Sequence, residues 1–166
     1  MKIHIIGCSG SGKTYLANAL AKKHNIPHFD LDDILWDNNA EEYGTKRPLE
    51  ERNALLQKIL NNNEWVIEGV YYAWVQQSFD EADIIYVLDM PRYLCKSRII
   101  IRSIKRKFGI QKGKRETLKS VYNLLKWTET FYNKNLKEIK TILDKYENKV
   151  IWLSSKKEVR EIIKAI

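Results

Sequence analysis

Gly7-Cys8-Ser9-Gly10-Ser11-Gly12-Lys13-Thr14 is the stretch that decides the fold. It fills the pattern of a glycine, four residues and then Gly-Lys-Thr, directly after the apolar run from Lys2 to Ile6 and directly before a run with helical periodicity. The glycines let the main chain curl into a nest of N–H groups with no Cβ in the way, and a helix starting at the end of the nest adds the positive end of its dipole. Such a cradle takes the phosphates of a nucleoside triphosphate: the Lys13 ammonium reaches the β and γ phosphates and the Thr14 hydroxyl serves a magnesium ion. Gly7, Cys8, Ser9, Gly10, Ser11, Gly12, Lys13 and Thr14 are therefore the expected nucleotide-binding residues, with ATP and Mg2+ as the expected cofactors.

Outward from this loop, short β-branched runs predict strands at Lys2 to Ile6, His28 to Asp30, Trp65 to Glu68, Asp83 to Asp89 and Lys149 to Leu153. Helical patterns lie between them. The first runs from Lys13 to His24 and stops at Asn25 and Pro27; the second runs from Pro48 to Leu60, with Pro48 in its first turn. Pro91 opens a third that carries arginines, Gly109 and Gly113 break it, and a long helical stretch follows from Glu116 to Tyr146 before a last helix from Lys156. Strands that alternate with helices predict an α/β fold with a parallel sheet between two helical layers, as one domain over residues 1–166. Ligands in such sheets sit beyond the carboxyl ends of the strands, where the glycine loop, Asp30, Asp32, Glu68 and Asp89 all fall.

Bulk properties narrow the class. At 166 residues, with 44% hydrophobic and 30% charged side chains, the chain has the composition of a globular domain. No run approaches the roughly 20 apolar residues of a bilayer-spanning helix, and the N-terminus does not read as a signal peptide, so the expected setting is the cytoplasm with no membrane partner. Cys8 and Cys95 lack metal or redox spacing and are read as reduced thiols. The formal net charge is +8, but residues 92–119 hold eleven Lys and Arg against one acid and carry +10 by themselves. That concentration calls for an anionic partner, either ligand phosphates or a nucleic-acid backbone.

No D-x-x-G or N-K-x-D pattern of the switch GTPases occurs. Instead, Phe29-Asp30-Leu31-Asp32-Asp33 ends strand two, Val66-Ile67-Glu68-Gly69 ends strand three, and Asp89-Met90-Pro91 precedes Arg98 and Arg102. In this the chain resembles the nucleoside monophosphate kinase and shikimate kinase group of P-loop kinases, and within it the adenylate kinase-related FlaR-like proteins, named DNA topology modulation proteins. The resemblance implies a three-layer α/β/α P-loop NTPase fold with five parallel strands in the order 2-3-1-4-5. It implies transfer of the γ-phosphoryl of ATP to a small acceptor such as a nucleotide or nucleoside. By the same resemblance, Asp30 stands near the magnesium waters, Asp32 is the acceptor-binding carboxylate, Glu68 takes the place of the Asp in an Asp-Gly pair, Arg98 stacks on adenine and Arg102 touches phosphate. A short basic lid falls at about 103–115. The chain departs from the adenylate kinase pattern at Glu68 and at Val70-Tyr71-Tyr72, which replaces the segment with the acceptor-binding Arg.

Physical reasoning is compatible with these roles. Phosphoryl transfer spreads charge over equatorial oxygens, so cations and a metal must surround it while a carboxylate orients the acceptor. Lys13, Arg98 and Arg102 supply the charge, Asp32 the orientation, and Thr14, Asp30 and Glu68 the metal contacts. A spacing of four places Arg98, Arg102 and Arg106 on one helical face. Each has a plainer alternative: a solvated basic face for the arginines, a helix cap for Asp30 or Asp32, and a strand-end charge for Glu68. Tyr71, Tyr72 and Trp74 read more as packing than as an acceptor wall, and Tyr122, Trp127, Phe131 and Tyr132 as packing. Two functions remain: an ATP-dependent small-molecule kinase, or an ATP-binding regulatory or DNA-associated protein. The few aromatics interleaved in the basic segment favour ligand phosphates over nucleic acid.

Overall fold

Strand β1 (Lys2–Gly7) lies at the centre of a sheet whose order is β2-β3-β1-β4-β5, and every pairing is parallel. The other strands are β2 (His28–Asp30), β3 (Trp65–Gly69), β4 (Ile84–Leu88) and β5 (Val150–Leu153). A computed structural model describes residues 1–37, 40, 44–110 and 117–165. The near-continuous apolar runs in β1, β3 and β4 follow from burial on both faces, which a parallel sheet under two helical layers imposes. Ile3, Ile5, Ile6, Trp65, Ile67, Ile85, Val87 and Leu88 are all buried. The expected fold, a three-layer P-loop NTPase architecture with this strand order, is the observed one.

Among the described residues, the helices are α1 (Lys13–His24), α2 (Leu31–Leu35), α3 (Leu49–Leu60), α4 (Gln76–Glu81), α5 (Arg92–Lys107), α6 (Leu118–Thr130), α7 (Leu136–Leu143) and α8 (Lys156–Ala165). Helix α1 ends at Asn25, which takes a left-handed conformation, φ 56°, and donates its N–H to Ala21 O. Pro48 caps α3 from outside rather than entering its first turn. The short helices α2 and α4 carry too few residues for a periodic signal, so neither is legible in the sequence. The long stretch before β5 is helical, as expected, but not uniform: a π-type turn at Phe131–Asn135 separates α6 from α7 and a tighter turn covers Asp144–Lys149. The extra residue of a π turn rotates successive side chains, and here both Phe131 and Tyr132 reach the core.

The chain leaves β1 for β2 on one side of the sheet and passes from β3 to β4 on the other. This crossing point opens a crevice at the carboxyl ends of β1, β3 and β4, and the glycine loop begins there.

Candidate active site

The loop from Gly7 to Thr14 bridges β1 and α1 and is closed internally by Ser11 N–H donating to Cys8 O at 3.1 Å. Gly10 has φ 77°, and a Cβ built on it would lie 2.6 Å from Cys95 O, so both backbone sign and space demand glycine. Lys13 is buried and its ammonium donates to Cys8 O at 3.1 Å, holding the positive group inside the curl of the loop. Ser11 Oγ is buried without a hydrogen-bond partner. An orphaned donor beside a nest of N–H groups and an ammonium fits a bound phosphate oxygen. Burial pushes the Cys8 thiol up to about 12, which leaves it an inert filler.

Arg98 reaches the loop from α5. Its Nη1 donates to Gly10 O at 2.9 Å and to Ser11 O at 2.8 Å, so the guanidinium is pinned by its edge to the loop carbonyls. Helix α5 is itself tied to α6 by Arg92 and Lys96, both paired with Glu129, and to the core by buried Cys95 and Ile99. Cys95 Sγ lies 3.3 Å from Tyr132 Oη, and that phenol donates to Met90 O. The π turn therefore helps seat the helix that presents the arginines.

The acidic side chains form a second group. Thr14 Oγ1 donates to Glu68 Oε1 at 2.5 Å, and Glu68 stands beside Asp30 in the β2–β3 register. Burial pushes the Glu68 carboxyl up, but His28, the Lys13 charge and Thr14 pull the other way and hold it below its ordinary value. His28 Nε2 is 3.8 Å from Glu68 Oε1, too long for a hydrogen bond, while its Nδ1 lies 3.0 Å from Asn18 Oδ1. Burial, reinforced by the Glu68 charge, pushes Asp30 up to about 6. Asp30 also caps α2, accepting the Asp32 N–H at 2.9 Å, so the plainer alternative and the site position hold together at this residue.

These groups meet in one cleft of about 1240 Å3, lined by the loop from Ser9 to Tyr15 and by Asp30, Asp32, Glu68, Arg98, Arg102 and Arg106. Asp89 does not line it; the Asp89 N–H donates to Leu153 O at 2.9 Å. Tyr71 and Trp127, read mainly as packing, do line it, as do Trp36, Lys46, Lys156 and Arg160. Trp127 also packs against Phe131, ring centroids 5.5 Å apart, so its helical spacing reported only half of its surroundings. Trp36 and Lys46 were out of reach because they approach through an antiparallel bridge between two loop residues. Of the lid expected at 103–115, residues 103–107 are the end of α5, Gly109 turns the chain at φ 71°, and 111–115 lie outside the described residues.

Oxygen donors suit a hard cation. Thr14 gives its hydrogen to Glu68 and keeps its lone pairs, and Glu68 and Asp30 are adjacent carboxylates. Among the described residues, no three His, Cys, Asp or Glu side chains converge as a self-sufficient metal cage. A magnesium ion that shares phosphate oxygens needs none.

A family model described as AAA domain (AAA_18) matches residues 3–117, from β1 to just before α6. The chain belongs to this AAA domain family. Its similarity to other proteins follows the same lines. The "Uncharacterized protein YqaC" of Bacillus subtilis (strain 168) is 32% identical over 105 residues, which are 63% of this chain and 57% of that protein. A "Shikimate kinase" of Enterococcus faecalis (strain ATCC 700802 / V583) is 26% identical over 129 residues, covering 70% of this chain and 76% of the relative. Among solved structures, a gluconokinase from Sinorhizobium meliloti 1021 superposes with a TM-score of 0.53 at 13% identity, over 98% of this chain and 87% of that one, which speaks to the fold alone. These similarities place the chain in the AAA domain family and relate its fold to that of a gluconokinase structure, and they leave the acceptor unspecified.

Proposed function

We propose that the chain is an ATP-dependent phosphotransferase that moves the γ-phosphoryl group to a small acceptor. The observation that carries this reading is the meeting, in one cleft, of a phosphate loop holding Lys13 with a carboxylate group and an arginine helix. A binding switch needs the loop; it does not need Asp32 opposite it. Lys13 and the N–H groups of Gly7 to Thr14 bind the phosphate chain. Thr14, Asp30 and Glu68 hold magnesium, which neutralises phosphate charge when bound. Arg98 fixes the outer side of the loop and takes the base against its face, Arg102 stabilises the equatorial charge of the transferring group, and Asp32 orients the acceptor oxygen.

The order of motifs is that of the FlaR-like, adenylate kinase-related branch, and this chain is best read as one of them: a single cytoplasmic kinase domain over 1–166 with a basic lid at 103–115. Low-molecular-weight acceptors incubated with magnesium and ATP, scored by ADP release above the acceptor-free rate, test the reading. Stimulated release with at least one acceptor is the expected result. ATP binding with no stimulation by any acceptor favours the regulatory or DNA-associated alternative.

A further inference from the structure

One end of the cleft is lined by side chains whose chemistry describes the acceptor. Trp36 stands there on a tied support, because hydrogen bonds hold the chain on both sides of it. The Arg47 N–H donates to Leu35 O at 2.8 Å, its Nε to Ile34 O at 3.2 Å and its Nη2 to Trp36 O at 3.4 Å, while the Asp37 N–H donates to Thr45 O at 2.9 Å. Trp36 pairs with Lys46 across an antiparallel bridge, and the Lys46 ammonium sits 5.9 Å over the Trp36 ring. Tyr71 supplies a second aromatic, and its phenol donates to Asp32 Oδ1 at 2.6 Å. The Asp32 backbone N–H is bonded to Asp30 Oδ1, so the main chain is fixed by one contact and the carboxylate by the other.

We propose that these residues select an uncharged sugar ring with free hydroxyl groups, borne by a free sugar or by a nucleoside, and reject its phosphorylated form. This rests on the phosphotransferase reading. A flat indole face covers the C–H side of a ring, and a carboxylate accepts its hydroxyls. A dianionic phosphate needs paired cations or bidentate arginine around it. Beside Trp36 and Tyr71 the described residues set Asp32 and the one ammonium of Lys46, while Lys13 is held to the Cys8 carbonyl in the loop, so a phosphomonoester there meets a carboxylate and lacks a paired cation. Arg98, Arg102 and Arg106 belong to α5, and Arg98 is bonded to carbonyls of the glycine loop that takes the donor phosphates. In the step itself, the acceptor hydroxyl oxygen bonds to the γ-phosphorus of ATP as the bond from that phosphorus to the bridging oxygen breaks. ADP leaves with the electron pair, and the hydroxyl proton passes to the Asp32 carboxylate. Tyr71 is a positioning residue that holds Asp32 for this contact.

Matched pairs separate the classes: adenosine against AMP, cytidine against CMP, ribose against ribose 5-phosphate, and glucose against glucose 6-phosphate. Each is offered to the full chain with magnesium and γ-labelled ATP. Label transfer is one readout and quenching of tryptophan fluorescence, with Trp36→Phe as its control, is the other. The expected result is transfer to, or binding of, at least one unphosphorylated member, with its phosphorylated partner about tenfold weaker or worse. A response confined to ribose or glucose identifies a free sugar, and one confined to adenosine or cytidine a nucleoside. Equal or better response to a phosphorylated member overturns the inference, as does a protein that binds magnesium and ATP yet responds to none of the unphosphorylated compounds. A protein that fails to bind ATP overturns the phosphotransferase reading as well, so the two failures are distinct. With an accepted compound, Tyr71→Phe is expected to lower kcat about tenfold and leave the KM for ATP unchanged. An unchanged kcat removes Tyr71 from the positioning role.

Discussion

Gly10 is where the demands on the loop are tightest. Its φ of 77° disfavours any side chain, and the carbonyl oxygen of Cys95 occupies the space a methyl group would take. Gly10→Ala is expected to cost about 2–4 kcal/mol of stability, combining the strained backbone with overpacking, and to abolish nucleotide binding; urea denaturation measures the first and calorimetry the second. His4 sets a different test, remote from the cleft. Ser78 Oγ donates its one hydrogen to Val75 O, so His4 Nδ1 must be the donor in its contact with Ser78 at 2.9 Å, and the ring is neutral with a bare, buried Nε2. Burial lowers its value from 6.5 to about 3. A histidine with a depressed folded value binds fewer protons folded than unfolded between these limits, so stability is complete above 6.5 and falls as pH drops toward 3. Going from pH 7 to pH 5 is expected to cost the wild type about 2 kcal/mol more than His4→Gln, compared by denaturant midpoints. Equal losses in the two proteins remove His4 from the acid response.

The arginine helix shows what the sequence could and could not disclose. Spacing alone put Arg98, Arg102 and Arg106 on one face, and all three line the cleft. What the spacing could not show is that Arg98 grips the loop carbonyls, since that contact spans 88 residues of chain. Arg98→Ala is accordingly expected to weaken ATP binding and lower the melting temperature together, whereas Arg102→Ala slows phosphoryl transfer much more than it weakens ATP binding; initial rates and calorimetry on the two variants separate these effects. The strands and α1 were legible because each carries a full signal, apolar runs in β1, β3 and β4 and a Gly-Lys-Thr start with an Asn stop in α1. Helix α2 has five residues and α4 six, too few for a period to register. Trp36, Lys46 and Tyr71 come to the cleft from loops, where the side chain's direction is set by distant tertiary contacts such as those of Arg47, and no local pattern encodes them.

Across the molecule, charge is divided as sharply as structure. Residues 92–119 carry +10 and the remainder is slightly acidic, with Asp30, Asp32 and Glu68 gathered at the cleft. If the basic segment serves ligand phosphates, DNA binding is expected to be weak at physiological salt and to fade steeply as salt rises. Gel-shift titrations from low to high salt measure this, and tight ATP-independent retention of DNA at physiological salt supports the DNA-associated alternative. Everything proposed for the cleft depends on the loop and its ammonium gripping a triphosphate. Titrating ATP into wild type and Lys13→Ala by calorimetry, with and without magnesium, reads that grip. The expected result is magnesium-dependent binding by wild type that weakens about tenfold or more in the variant; no uptake by wild type, or equal uptake by both, contradicts the account.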